Sequence, residues 1–336
     1  MRKHVSAGRL LALGLAVLAA VLALVIVPSS DYIFLPDRAH PVAPLVTVAG
    51  GRDPARGGIY FVDIIVRKAS LLERLFGGLH KGADLYPASA INPPGVNDAQ
   101  RRRIDLQDMR LSQQIAAAVA LKAAGLKVTL RSTGVLVSQL EAGLPAVGKL
   151  EPDDVITNVD GARVRSAVDL KTAMAKHSIG DVVRFTVIRG RSTLEISIKT
   201  VASTDPGPRR PVVGFLPGTA LAIHLPIAVR IDAGNVGGPS AGLAFALQVY
   251  EEEGHDVVHG NRIAATGEIF ADGSVGPIGG IKQKTFGARE AGVDAFLVPA
   301  GDNAREARKY AGGLRIIPVE TFPQALRALA TLHAKR

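Results

Sequence analysis

One segment of this sequence combines the residue types that can activate a serine. Residues 232–243 read DAGNVGGPSAGL, so a glycine-rich loop carries Ser240 to the start of an apolar stretch that continues through Val249. The glycines allow a substrate to approach the backbone closely, and the exposed amides at a helix N-terminus can stabilise an oxyanion. Serine is also an ordinary helix N-cap, so this segment alone does not establish a nucleophile.

The pentapeptide 238–242 also fits G-x-S-x-G, the nucleophile elbow of α/β-hydrolases. That fold requires an acid and then a histidine after the serine in chain order. Asp272 or Asp294 together with His333 would have to fill these places in the short remainder of the chain. The sequence therefore disfavours a hydrolase triad.

A second segment, residues 277–288, supplies a candidate base. It reads PIGGIKQKTFGA, with two lysines two residues apart at the start of a predicted helix, which separates them by about 200° around the helix. Lys284 shares the inward face with Ile281 and Ala288, whereas Lys282 lies on the other face. A buried lysine has a lowered pKa and can act as a neutral base. The alternative is a lysine whose stem packs while its amine reaches water.

Strands and helices alternate over the C-terminal part of the chain, which predicts an α/β layered domain. The predicted strands lie at 227–231, near Ile263, at 295–298 and at 314–317. One predicted helix begins at Ser240, and three others cover 281–291, 303–311 and 322–333.

Residues 132–200 consist of short predicted strands separated by turn residues. A strand at 134–137 and the run LEPDDVITNVDG at 150–161 precede a helix over 166–176, and a hairpin at 182–198 closes the unit. This pattern resembles a PDZ domain, which binds an extended peptide by strand addition and captures its terminal carboxylate with loop amides. The residues predicted to bind the peptide are Gly134, Val135, Leu136 and Val137. A PDZ-shaped spacer without a ligand is the alternative.

Three segments together resemble the proteolytic domain of Lon-type serine proteases, a Ser–Lys dyad family. They are GGPSAG at 237–242, ATGEI at 265–269 and PIGGIKQK at 277–284. The resemblance implies that Ser240 is the nucleophile and Lys284 the general base, which agrees with the inward helical face of Lys284.

The resemblance also implies supporting residues. Thr266 matches a family threonine that holds the lysine amine, and the amides of the turn that contains Gly237 and Gly238 would form the oxyanion hole. Many Lon proteins carry an acidic residue where Gly237 stands, which puts a third acidic group in doubt here. No G-x-x-x-x-G-K-[ST] motif occurs, so we expect no ATPase module of the Lon type.

The strand at 58–66 and the helix LQDMRLSQQIAAAVAL at 106–121 resemble the first half of the Lon proteolytic domain. The predicted fold is therefore an α/β (α+β) Lon-type proteolytic domain with an inserted PDZ-like domain, preceded by one transmembrane helix. The predicted segments are a cytoplasmic N-terminus at 1–9, an anchor at 10–27, a tether at 28–44, the first part of the proteolytic domain at 45–125, the PDZ-like domain at 126–202, a linker at 203–213 and the dyad-bearing part at 214–336. This combination is most similar to the membrane-bound, PDZ-containing Lon-like proteases of bacteria, the YlbL-like group.

Residues 10–27 form an unbroken run of apolar residues and glycine, just long enough to cross a bilayer core as a helix. A cleaved signal peptide is the alternative, but no clear cleavage site follows the run. Arg2, Lys3 and Arg9 precede it. The positive-inside rule therefore predicts a single-pass protein of the cell membrane with a cytoplasmic N-terminus and an extracytoplasmic catalytic domain.

The composition restricts the remaining function classes. The chain has no Cys, which excludes disulfides, cysteine-ligated metals and thiol catalysis. Its formal net charge is +10, but only 4% of its residues are aromatic, so we expect no nucleic-acid partner. The sequence thus predicts an ATP-independent, membrane-anchored serine endopeptidase that needs no cofactor or metal and acts on extended protein or peptide substrates. The family resemblance implies that the chain can form a homo-oligomer, a hexameric ring. The alternative function is a non-proteolytic PDZ scaffold.

Overall fold

Strands and helices alternate through most of the residues that this computed structural model describes, which are 7–52, 56–92, 96–203 and 208–335. The strands are β1 (Pro28–Pro41), β2 (Val46–Val48), β3 (Gly58–Ser70), β4 (Asp84–Tyr86), β5 (Thr129–Leu140), β6 (Val155–Val159), β7 (Ala162–Arg163), β8 (Val182–Arg189), β9 (Ser192–Lys199), β10 (Val201–Ala202), β11 (Pro211–Val212), β12 (Phe215–His224), β13 (Val229–Ile231), β14 (Arg262–Ala265), β15 (Glu268–Ile269), β16 (Val275–Gly276), β17 (Ala295–Pro299) and β18 (Arg315–Val319). The helices are α1 (Ala7–Ile26), α2 (Leu71–Leu75), α3 (Ala88–Ile91), α4 (Asp98–Ala123), α5 (Ala167–Met174), α6 (Gly242–Glu252), α7 (Ile281–Glu290), α8 (Asp302–Tyr310) and α9 (Phe322–Leu329). The predicted segments 1–9 and 203–213 lie partly outside the described residues.

A mixed sheet forms the centre of the larger unit, with the strand order β18-β17-β14-β3-β1-β4. The strands from β18 to β3 are parallel, and β1 is antiparallel to both β3 and β4. Successive side chains of a strand point to opposite faces. Ile263 therefore packs in a core with α4, α6 and α9, whereas Ala264 packs on the other face with α7 and α8. Helices on both faces of a mixed sheet confirm the predicted α/β class.

The predicted helix at 106–121 is present but begins earlier, at Asp98. Asn97 caps it, because its side chain accepts from the Gln100 amide while the Gln100 side chain accepts from the Asn97 amide. This reciprocal pair is a capping box, and its residue spacing is visible in the sequence.

The second sheet has the order β12-β5-β6-β8-β9 and a core of its own that includes Val135, Ile156 and Phe185. The predicted hairpin is present as β8 and β9, and the predicted helix over 166–176 is α5, capped by Ser166. β12 begins inside the segment assigned to the proteolytic domain, yet it pairs with β5 along its whole length. The two predicted domains therefore share this ribbon.

The prediction that residues 28–44 are a tether is wrong for most of that segment. β1 occupies 28–41 and pairs with β3 and β4, and Tyr32 and Ile33 are buried. The prolines suggested a tether because proline cannot donate to a sheet ladder. In the structure, Pro28 and Pro36 border the two places where the register of β1 against β3 shifts.

The N-terminal helix α1 covers Ala7–Ile26. Among the residues that the structure describes, no helix is both long enough and apolar enough to cross a membrane. The structure therefore does not support the predicted transmembrane helix at 10–27.

Candidate active site

Ser240 lies in a 3-10 turn, Pro239–Ala241, immediately before α6. The turn starts at Gly238, whose φ of +81° favours glycine. The Ser240 hydroxyl caps neither the turn nor α6, so the N-cap explanation of this serine does not apply. The side chain is partly exposed and available for another partner.

The partner is Lys284, which projects from the first turn of α7. Its Nζ lies 3.0 Å from Oγ of Ser240 and also donates a hydrogen bond to the carbonyl oxygen of Val62 in β3. Only 3% of Lys284 is exposed. The amine is therefore fixed between the sheet and the serine, as the inward helical face predicted.

Burial changes the acidity of this amine. Loss of hydration disfavours the ammonium form and lowers the pKa of Lys284 to about 8, although the nearby carboxylate of Asp63 opposes this shift. At a pH near 8, a substantial fraction of the Lys284 amine is therefore neutral, which is the form that a general base requires.

Lys282 has a different environment. Its Nζ forms an ion pair with Asp84 at 2.7 Å and donates to the carbonyl oxygen of Ala83. Lys282 thus ties α7 to β4, and it is a natural control for Lys284.

Asp63 is a site residue that the sequence analysis did not identify. It follows Val62 in β3, and burial together with the nearby carboxylate of Asp37 raises its pKa. Nε2 of His40 lies 3.3 Å from Asp37 Oδ2 and 3.7 Å from Asp63 Oδ1. A lone aspartate inside the apolar strand GIYFVDIIV was the available signal, because a buried acid requires a partner.

These three side chains are also the group that could hold a metal ion among the described residues, since their ligand atoms lie within 4.8 Å of one another. Two carboxylates and one imidazole suit several divalent cations. His40 is hydrogen-bonded to Asp37 and lies within ion-pair distance of Asp63, so the cluster needs no metal to account for its geometry.

Thr266 is placed differently from the prediction that it holds the lysine amine. Its Oγ1 donates to the carbonyl oxygen of Ser240 at 3.0 Å, and the Gly267 amide donates to the same oxygen at 2.8 Å. Thr266 is fully buried. It therefore fixes the backbone of the serine, while Val62 holds the amine of Lys284.

The glycine turn docks against α4. The Gly238 amide donates to the Asp105 carbonyl oxygen at 2.7 Å, and a Cβ atom on Gly237 would lie 2.8 Å from Cβ of Asp105. The Ser112 hydroxyl donates to the carbonyl oxygen of Pro239 at 3.0 Å. The Gly238 amide is thus engaged in this arrangement and does not form the predicted oxyanion hole, which leaves that role to a rearranged turn or another amide.

An open cleft of about 860 Å³ connects these groups. Ser240 and Lys284 lie in it, together with Asp63 from β3 and Asp105 from α4. Its apolar lining consists of Phe34, Ile64, Val66, Ala90, Ile91, Val236 and Pro239, and its basic lining from α4 is Arg101 and Arg102. The cleft is large enough to receive several residues of an extended chain.

The predicted peptide site at 134–137 is wrong in its residues. This segment lies in β5, which pairs with β12 on one side and β6 on the other. Val135 and Val137 are fully buried in the core of the second sheet. A strand with partners on both edges cannot accept a further strand, because its backbone groups are already paired.

A groove suited to a peptide lies instead between α5 and β12. β12 is an edge strand of this sheet, and the start of β12 borders a cavity of about 580 Å³ with α5. Leu170 and Met174 line its helical side, and Gly214, Phe215 and Leu216 line its strand side. The sequence alone did not indicate this groove, because α5 and the start of β12 are about forty residues apart in the chain and are brought together only by the fold.

Comparisons with known proteins agree with this division. The family model for the PDZ domain matches residues 123–200, and that for the Lon protease (S16) C-terminal proteolytic domain matches residues 217–331. Lon protease 2 of Bacillus subtilis (strain 168) is 28% identical over 174 residues, which are 52% of this chain and 29% of that protein. Lon protease 1 of Myxococcus xanthus is 35% identical over 116 residues, which are 33% of this chain and 13% of that protein.

Among solved structures, the PDZ domain of the SdrC-like protein from Listeria innocua is 30% identical, with a TM-score of 0.24, over 25% of this chain and 92% of that one. The matches cover less than a third of either Lon protease named above. The chain thus contains one region similar to the S16 proteolytic domain of Lon proteases and one region similar to a PDZ domain.

Proposed function

We propose that this chain is a serine endopeptidase in which Ser240 is the nucleophile and Lys284 the general base. The observation that carries the proposal is the 3.0 Å approach of the buried Lys284 amine to the Ser240 hydroxyl. A buried amine with a lowered pKa, held against a serine at the edge of a cleft, meets the requirements for an activated nucleophile.

In the proposed reaction, neutral Lys284 takes the proton of the Ser240 hydroxyl as Oγ attacks the substrate carbonyl. The resulting ammonium group then gives this proton to the leaving amine, and the acyl group stays on Oγ until water, deprotonated by Lys284, releases it. The Val62 carbonyl oxygen holds the amine in place, and Thr266 and Gly267 hold the serine backbone. Activity should rise with pH through about 8, because the base must lose its proton.

We further propose that the peptidase acts without ATP and that the groove between α5 and β12 selects its substrates. The sequence has no Walker A motif, so no nucleotide-driven unfolding is available from this chain. The substrates are therefore extended segments, tails or unfolded proteins. An edge strand opposite a helix is the arrangement by which an added peptide strand is bound.

Membrane anchoring through residues 10–27 and an extracytoplasmic catalytic domain also form part of the proposal. The support is the apolar run and the basic residues before it in the sequence. Fractionation of cells and protease accessibility of the intact cells would test both points. A homo-oligomeric ring rests on family resemblance alone, and its measurement is the mass of the purified chain in solution.

The experiment is cleavage of casein by the full chain in detergent, without nucleotide. We expect cleavage by the wild-type chain, loss of it in Ser240→Ala, and little change in the control Lys282→Ala. A wild-type chain that neither cleaves casein nor reacts with a serine-directed covalent probe would favour the PDZ scaffold. Cleavage that survives Ser240→Ala would exclude the proposed nucleophile.

A further inference from the structure

The first turn of α4 places in the catalytic cleft a guanidinium group for which the described residues supply no hydrogen-bond partner. Arg101 and Arg102 both line this cleft. Arg102 donates to the Asn235 carbonyl oxygen and so helps to hold the glycine-rich loop. Arg101 stacks on the ring of Tyr32, with its guanidinium carbon 5.1 Å from the ring centroid.

One side-chain atom of Arg101 is not satisfied by the described part of the protein. Its Nε is buried and has no hydrogen-bond partner among the described residues. The acidic groups near it are Asp98 and Asp105. The hydrogen bond from Tyr32 lowers the pKa of Asp98, with a smaller contribution from Arg101, and burial raises the pKa of Asp105 against an opposing contribution from Arg101. Neither forms an ion pair with it. Buried polar groups in proteins are nearly always paired, so a guanidinium left in this state next to a substrate cleft indicates a missing ligand.

The surroundings define the chemistry of that ligand. A guanidinium group presents parallel N–H donors that match a carboxylate in bidentate geometry. Phe34, Ile64 and Ile91 make the adjacent lining apolar, and a charged hydrogen bond is stronger where water is excluded. A peptide carries carboxylates on acidic side chains and at its C-terminus.

We propose that Arg101 binds a carboxylate of the peptide substrate, so that the cleft prefers peptides with a carboxylate close to the cleaved bond. This inference rests on the proposed peptidase function and names a substrate class for it. Lys284 also lines the cleft, but it is held by Val62 and Ser240. Asp63 repels a carboxylate from the part of the cleft near Lys284, which favours the position that Arg101 reaches.

The test compares kcat/KM for internally quenched peptides that differ only by Glu or Gln at each position near the cleaved bond. We expect about a tenfold preference for Glu at one position, equivalent to about 1.4 kcal/mol. The preference should vanish in Arg101→Gln and be partly retained in Arg101→Lys. Arg103→Gln is the matched control, because Arg103 is exposed and does not line this cleft.

A second arm separates the two sources of carboxylate. Peptides without acidic side chains are compared as C-terminal acids and C-terminal amides. A preference for the acid that depends on Arg101 would assign the group to the chain terminus, whereas a Glu preference would assign it to a side chain.

Binding to the Ser240→Ala chain, measured by fluorescence anisotropy, keeps this test independent of catalysis. Glu peptides should bind this chain more tightly than Gln peptides, and Arg101→Gln should remove the difference. Equal affinities for all pairs, or a preference that survives Arg101→Gln, would overturn the assignment of Arg101. Serine labelling by a covalent probe reports the dyad separately, so failure of the dyad and failure of Arg101 are distinguishable.

Discussion

Buried ionisable groups in the two units of this protein provide examples of two different environments. In the PDZ unit, Asp154 is fully buried but forms an ion pair with Arg189 at 2.7 Å. In the proteolytic unit, burial lowers the pKa of Lys284 to about 8 and raises that of Glu251 to about 7, because neither has a close opposite charge that fully compensates it. A paired buried charge stabilises one conformation, whereas an uncompensated one is a group with altered acidity that is available for chemistry.

The largest expected effect comes from substitution of Lys284, the uncompensated buried group. Lys284→Met removes the base, and we expect kcat/KM for a peptide to fall by roughly a thousandfold, within the range for general base catalysis. The same substitution should raise the free energy of unfolding at pH 7 by roughly 1–2 kcal/mol, because the charged amine no longer has to be buried. Peptide cleavage and urea unfolding of the same samples measure both quantities.

The stability gain has a defined pH dependence. The pKa of Lys284 in the folded chain is about 8, below the usual 10.5 of the unfolded chain. The penalty of burying the charge is therefore fully present below pH 8 and disappears as the pH rises toward 10.5. A gain in Lys284→Met that does not decline over that interval would contradict the assigned acidity. Lys282→Met is the control, and it should leave kcat/KM within a few-fold of wild type.

Removal of the partner of a paired charge should give the converse result. Arg189→Met leaves the fully buried Asp154 without its partner, and we expect a loss of roughly 3 kcal/mol in the free energy of unfolding. Peptide cleavage below the unfolding temperature should stay near the wild-type rate, because Arg189 lies outside the catalytic cleft. A large loss of activity in the folded variant would break the distinction between the two regions.

A charge in the groove between α5 and β12 tests what the PDZ unit contributes. Met174→Glu places a carboxylate on the helical side of the groove beside Leu170. We expect kcat/KM for an unfolded protein to fall by roughly tenfold while a short peptide that occupies only the catalytic cleft is cleaved normally. The exposed residue Val168 of α5 does not line the groove, so Val168→Glu is the matched control. Equal losses on both substrates would mean that the groove does not select substrates.

The carboxylate next to Lys284 gives a smaller effect on the proteolytic side. Asp63 raises the pKa of Lys284, so Asp63→Asn should lower the pH at which activity appears, by about one unit at most. The activity at pH 7, expressed as a fraction of the maximum activity at high pH, should increase several-fold. The full pH profile is the measurement, and a profile that stays in place or moves to higher pH would exclude this role for Asp63.

Some features of the candidate site could be predicted from the sequence and others could not, for a physical reason. The positions of Ser240 and Lys284 were predicted because each depends on a local pattern, a glycine-rich turn before a helix and the inward face of a helix. Thr266 was assigned the wrong partner because its hydrogen bond depends on how β14 meets the serine turn, which no local pattern specifies. Asp63 was missed although a single acid in an apolar strand was visible in the sequence.

The location of the peptide groove depends on which strands pair with each other. Strand pairing is harder to infer from the sequence than local structure. The segment 134–137 has the residues of a strand, but whether a strand lies at the edge of a sheet depends on its partners. β12 takes the edge position, and it lies about eighty residues further along the chain. The segment 28–41 is a similar case, since its prolines suggested a tether and sheet pairing accommodates them at register shifts.

The most direct test of the central claim is the rate at which a serine-directed covalent probe labels Ser240 as a function of pH. The full chain is measured between about pH 6 and 10 beside Lys284→Met and Lys282→Met. The account predicts a single rise near pH 8 in the wild-type and Lys282→Met chains, and labelling slower by orders of magnitude in Lys284→Met. Labelling of Lys284→Met at the wild-type rate, or wild-type labelling that does not change with pH, would contradict the proposal that Lys284 activates Ser240.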